Sequence, residues 1–182
     1  MSPSPIAAHR GTILVQMFVL GIDPGLTRCG YACVDWLGPS RVRAKSVGVI
    51  RTDPSAALPN RLATMHRDIT ELIAEFAPAV VAIERVLFQV NVKTAMSVGH
   101  ASGVIMAAGA LAGCDVVEYS PNEIKLAVTG YGNADKQQVE KMVRAQLDLD
   151  HELKPADASD AAAVALCHTA IVGVPEPERL KR

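Results

Sequence analysis

The chain has 182 residues, a net charge of −1 and 49% hydrophobic residues. That size and apolar content suit about one domain with a sizeable core, while the near-zero charge excludes a strongly basic nucleic-acid coat, though not a local basic patch. Only 4% of residues are aromatic and the four cysteines (Cys29, Cys33, Cys114, Cys167) form no CxxC pair, so the core is mostly Ala, Val, Leu and Ile, and the thiols suit a reduced, cytoplasmic protein rather than a disulfide scaffold or a short-spaced zinc site.

Residues 1–16 carry one arginine before "GTILVQ" and lack a long apolar core or cleavage site, which argues against a signal peptide. They read as a disordered N-terminal extension, with one domain over 17–173 and a frayed C-terminal tail over 174–182. Met17 to Asp23 form a first strand. "CGYACVDW" (29–36) is a second, joined to it by "PGLTR". Gly38-Pro39-Ser40 turns the chain into a third over 41–52, giving an antiparallel meander. Leu62, Met65, Ile69, Leu72 and Ile73 recur at helical spacing over 58–76, and Ala77-Pro78 stops that helix. "AVVAIE" (79–84) is a short buried strand. The run 97–113 is rich in Ala and Gly, slightly short for a membrane span, and contains His100. It reads as a buried helix over about 92–111, with Gly99 and Gly103 at close-packing spacing. "CDVVEY" (114–119) is a fifth strand. Ser120 caps a helix over 121–128 that has Pro121 at its first position, and 129–135 is a loop. Helices follow over 135–147 and 156–172. The order implies an α/β protein with a mixed five-stranded sheet, antiparallel in strands one to three and parallel in four and five, with helices on both faces. The strand–helix–strand crossover sets strand four parallel to strand one.

Asp23 and Glu84 each end a strand of about five apolar residues. A carboxylate there is costly unless something pairs with it. On adjacent parallel strands both would emerge at one sheet end, where open α/β sheets place ligands. Asp157 and Asp160, spaced i, i+3, share one helix face. Convergence of these acids would raise their own pKa values, and a divalent cation with oxygen ligands, Mg²⁺ or Mn²⁺, relieves that conflict. Each acid also has an ordinary reading: Asp23 as a turn residue before Pro-Gly, Asp157 as a helix cap, Glu84 with Arg85 as a surface ion pair. None of these explains why acids end two apolar strands and open a third apolar element.

"GIDPGLTRCG", "AIERVLF", "TGYGNADKQQV" and "PADASDAAAVALCH" resemble the four sequence blocks of the RuvC family of Holliday-junction resolvases, in family order, from Met17 to about His168. The resemblance implies a ribonuclease-H-like fold, a homodimer, and metal-dependent symmetric nicking of four-way junction DNA with two Mg²⁺ ions per site, Mn²⁺ serving as a substitute. It implies 5′-phosphate and 3′-hydroxyl products, a short thymine-containing cleavage site, and a branch-migration helicase complex as partner. The family's acidic tetrad falls on Asp23, Glu84, Asp157 and Asp160. Some relatives carry His where this chain has Asp157. Lys125 and Lys136 match lysines used near the scissile phosphate or DNA backbone. Arg85 and Lys93, with Arg28, Lys141 and Arg144, are further candidates for that face. The family places a base-stacking aromatic three residues after the glutamate. Here Leu87 stands there, followed by Phe88, so either Phe88 stacks or Leu87 is an apolar wedge, with core packing the ordinary reading for Phe88. His100, His151 and His168 show no partner pattern. The helix over 93–112 is the candidate dimer interface. Two rival readings share parts of the pattern. An actin-like ATP-binding domain accounts for "GIDPG" but needs a duplicated second domain, and a non-catalytic junction-binding module would lack one of the acids.

Overall fold

A computed structural model describes residues 17–38, 41–85 and 92–173, without the side chains of 92 and 93. The elements are β1 (Met17–Asp23), β2 (Arg28–Trp36), β3 (Val42–Arg51), α1 (Leu58–Phe76), β4 (Val80–Glu84), α2 (Val92–Leu111), β5 (Asp115–Tyr119), α3 (Pro121–Thr129), α4 (Lys136–Gln146) and α5 (Ala156–Val172). Each expected element is present with ends within a residue or so. The two terminal segments, 1–16 and 174–182, lie outside the described residues, as do Pro39 and Ser40 of the expected turn.

The five strands form one sheet in the order β3-β2-β1-β4-β5. β1–β2 and β2–β3 are antiparallel, whereas β1–β4 and β4–β5 are parallel. The meander and the crossovers therefore assemble as the sequence implies, with β1 at the centre.

Strand periodicity divides the core. Leu20 and Ile22 of β1 and Val81 and Ile83 of β4 face α1 and α2, where Met65, Ile69, Ile105 and Ala108 meet them. Val19, Val80 and Ala82 face the other side with α3, α4 and α5. Successive strand side chains alternate between faces. Asp23, one residue beyond Ile22, and Glu84, one beyond Ile83, are thus turned to the α5 side.

α5 lies between the sheet and the α3/α4 pair, touching β1 to β4 as well as both helices. Beyond its acidic start it is consequently apolar on all sides, with Ala158, Ser159 and Ala161 through Thr169 buried. Its approach to the sheet is set by two glycines. A Cβ on Gly21 would lie 2.3 Å from the Ala161 carbonyl oxygen, and one on Gly30 would lie 1.9 Å from that of Asp157.

α2 packs on α1, β4 and β5. Thr94–Leu111 is long and apolar enough to cross a membrane by length and composition alone, but here Ala101, Ile105 and Ala108 bury one side of it against the sheet. Its other side, with Met96, Gly99, Gly103, Ala107 and Leu111, is exposed.

Candidate active site

Asp23 is the register partner of Gly30 on β2. On its other side β4 runs parallel, with Ile22 paired to Ile83, so Asp23 and Glu84 stand level on strands about 4.8 Å apart. The α5 backbone at Asp157 presses directly onto Gly30, which carries the first turn of α5 to the same point. The spacing of Asp157 and Asp160 turns both acids to one side of that turn. The two strand ends and the helix start thereby line one cleft of about 330 Å³, together with Lys125, Lys136, Pro121, Ile124, Val139 and Ala163.

The lysines are positioned by capping. Ser120 accepts from the Glu123 amide and Glu123 returns the bond, with Pro121 in the first turn, which starts α3 as expected from the sequence. Asp135 and Gln138 make the same reciprocal box for α4. Asp135 is therefore the cap, not the first helical residue, and Lys136 opens the helix at the cleft rim. Its Nζ donates to Asp160 Oδ2 at 3.2 Å. Arg28, the first residue of β2, donates from Nε to Asp157 Oδ2 at 3.0 Å and from Nη2 to the same oxygen.

The electrostatics separate the acids into two pairs. Burial, then the charges of Glu84, Asp160 and Asp157, raise the Asp23 carboxyl to about 7 against a pull from Lys136. Burial and the Asp160 charge raise Glu84, while Lys136 and Lys125 oppose the rise. Asp160 in turn holds the Lys136 ammonium above its ordinary range, by hydrogen bond and charge. The helix acids are thus ion-paired and the strand acids carry the cleft's unrelieved charge.

The donor set fits a hard divalent cation: four carboxylates line the cleft, and the charge conflict at Asp23 is of the kind such an ion removes. Among the described residues no three His, Cys, Asp or Glu side chains form a ready-made metal cage; Asp157 and Asp160 are turned to Arg28 and Lys136 instead.

The remaining sequence candidates divide. Lys125 lines the cleft with Lys136. Arg85 is exposed just past Glu84, close enough to Glu123 to help hold that carboxyl low, and is not part of the cleft lining. Lys141 and Arg144 on α4 are likewise outside that lining. Leu87, Phe88 and the Lys93 side chain lie outside the described residues. His168, given no chemistry from sequence, is buried far along α5, sharing a 2.9 Å hydrogen bond with the Tyr119 hydroxyl. The sequence offers Arg28 only as one of several candidates for the DNA face and does not single out Gly21 or Gly30. The available signal was an Ala-rich helix, which needs small residues on the strands it covers.

Acids at the C-terminal ends of two parallel strands, faced by a third acidic element, on a mixed five-stranded sheet with helices on both faces, define a ribonuclease-H-like fold with a carboxylate-lined cleft. The model of the family described as crossover junction endodeoxyribonuclease RuvC matches residues 19–168, and the chain belongs to that family. A crossover junction endodeoxyribonuclease RuvC from Salinispora arenicola is 50% identical over 152 residues, 84% of this chain and 87% of that protein. One from Clavibacter michiganensis subsp. michiganensis is 47% identical over 169 residues, 88% and 84% of the two chains. A solved structure of T. thermophilus RuvC in complex with Holliday junction substrate superposes with a TM-score of 0.82 at 35% identity, covering 86% of this chain and 94% of that one.

Proposed function

We propose that this protein is a structure-selective endonuclease that resolves Holliday junctions by symmetric metal-dependent nicking, leaving 5′-phosphate and 3′-hydroxyl ends, in homologous recombination and DNA repair. The observation that carries the reading is the convergence of Asp23, Glu84, Asp157 and Asp160 on one cleft with two lysines at its wall. These four acids would hold Mg²⁺, two ions per site, with Mn²⁺ as a substitute. Bound there, the metal supplies activation of water and charge stabilisation at phosphate.

The chain's own residues do the rest. Lys125 and Lys136 place ammonium groups where a phosphodiester enters, offsetting the repulsion that a polyanion would meet from four carboxylates. Ile124, Val139 and Ala163 form an apolar wall of the cleft, excluding water from one side. Asp23, the deepest charge conflict, is the first ligand to consider. Arg85, Lys93 and either Leu87 or Phe88 would extend the DNA contact outside the cleft.

The exposed small-residue side of α2, with Gly99, Gly103 and Ala107, suits close approach of a second copy, and a two-fold dimer matches a junction of approximate two-fold symmetry. A branch-migration helicase complex as partner rests on the family resemblance. A cytoplasmic site suits the free Cys29, Cys33, Cys114 and Cys167.

The test is a synthetic four-way junction incubated with the protein, with and without Mg²⁺. Paired nicks that require Mg²⁺ and vanish in Asp23→Asn, while junction binding is kept or tightened, are expected. Metal-independent cutting, or comparable turnover by Asp23→Asn, would refute the assignment.

A further inference from the structure

Asp157 is held by a cation of the chain itself. Arg28 reaches from the start of β2 to the first turn of α5 and sets both Nε and Nη2 on one oxygen, Asp157 Oδ2. The pair is joined across 129 positions of sequence. It sits at the cleft mouth, the arginine side chain 43% and the aspartate side chain 28% exposed. Gly30, two residues after Arg28, is where α5 touches the sheet, so the distance between guanidinium and carboxylate is fixed by backbone contact rather than by a flexible loop.

We infer that Arg28 is a positioning residue that acts through Asp157, competing with the divalent cation for this carboxylate and so setting how tightly the cleft takes metal. The inference rests on the metal-dependent reading above. A guanidinium stays protonated throughout the working range and presents its donors as a planar fork. A metal that ligates Asp157 through Oδ2 must therefore displace a cation, one charge for another, and cannot simply displace a proton. Lys136 makes the equivalent contact to Asp160 with a single ammonium. Asp157 and Asp160 are thereby oriented and partly neutralised before metal arrives, whereas Asp23 and Glu84 are not bonded to either cation.

The measurement is Mn²⁺ binding to the whole protein without DNA, followed by loss of the free-ion electron paramagnetic resonance signal. Wild type would be compared with Arg28→Gln, Arg28→Lys, Asp157→Asn, the Arg28→Gln/Asp157→Asn double variant and Asp23→Asn. Arg28→Gln should bind Mn²⁺ about two- to fivefold more tightly, the range expected when a part-exposed ion pair is removed. Arg28→Lys, which keeps the charge but loses the fork, should shift in the same direction by less. In the double variant the gain should disappear, leaving the affinity of Asp157→Asn within about twofold. A purely structural role for Arg28 would loosen the site and weaken binding. Unchanged or weaker Mn²⁺ binding by Arg28→Gln and Arg28→Lys, with Asp23→Asn impaired, would overturn the inference and leave the cleft as the metal site. Asp23→Asn binding as well as wild type would overturn the metal-site reading itself, and the inference with it.

Discussion

Gly30→Ala should damage both stability and cleavage, because the added Cβ meets backbone. That Cβ would lie 1.9 Å from the Asp157 carbonyl oxygen, 2.6 Å from its carbonyl carbon and 3.2 Å from its Cβ. A close C–H···O approach needs about 3.3 Å, so helix and strand must separate by roughly 1.4 Å. No rotamer change relieves this, since the obstructing atoms belong to the first turn of α5. Overpacking of this kind costs about 1–3 kcal/mol, or roughly 2–12 °C in Tm for a chain of this size. The same displacement moves Asp157 away from Asp23, and a 1 Å misplacement of reacting groups costs on the order of 100-fold in rate. Thermal melts give the first number, and single-turnover cleavage of a four-way junction below the variant's melting range gives the second. Junction binding should change little, because Lys125 and Lys136 are carried by α3 and α4. A Gly30→Ala protein that melts and cuts like wild type would refute the claim that contact between α5 and β2 positions the acids.

Three further outcomes follow from the site. With its carboxyl raised to about 7, Asp23 stays protonated in the folded protein while the unfolded chain is already ionised, so metal-free stability should fall as pH rises from about 4 through 7 and level off above; chemical denaturation at several pH values in chelator should show this slope and show it flattened in Asp23→Asn. Lys136→Ala should weaken junction binding and lower the salt slope by about one, as for one lost phosphate contact, and an unchanged salt titration with normal cleavage would make Lys136 an ordinary surface charge. Phe88→Ala should slow cleavage by roughly tenfold or more, since base stacking contributes about 1–3 kcal/mol, and Leu87→Ala should do less; a Phe88→Ala protein that melts much earlier yet cuts normally when folded would make Phe88 a packing residue.

What could be read from sequence was what is local. The short apolar runs in "FVLGID" and "VVAIE" put Asp23 and Glu84 at strand ends, and the register sets them level. Ser120-Pro121 announced α3, and the i, i+3 spacing announced that Asp157 and Asp160 share a face. The ion pairs were not legible, because Arg28 and Asp157 are brought together only when α5 settles on Gly21 and Gly30. That approach depends on the absence of two Cβ atoms on neighbouring strands, a property of the packed pair and not of either segment. The uniformly apolar α2 was ambiguous for a similar reason: composition cannot say which side meets the sheet and which is left exposed.

The division between paired and unpaired acids follows from where each is anchored. Asp157 and Asp160 stand on the first two turns of a helix at the cleft mouth, within reach of Arg28 and Lys136. Asp23 and Glu84 are fixed to strand ends inside the sheet, where burial is the largest cause of their raised pKa values. Keeping Asp23 ionised at neutral pH costs the folded protein up to roughly 4 kcal/mol, taking about 1.4 kcal/mol for each pH unit. That cost falls on the best-packed part of the molecule, where Val19, Leu20, Ile22, Val81 and Ile83 are fully buried. Their apolar burial, about 1.5–3 kcal/mol per side chain, exceeds it roughly two- to fourfold. The conflict is therefore held in place rather than relieved by movement, and a divalent cation entering the cleft would find its strongest stabilisation at Asp23 and Glu84, since Arg28 and Lys136 already hold one oxygen each of Asp157 and Asp160.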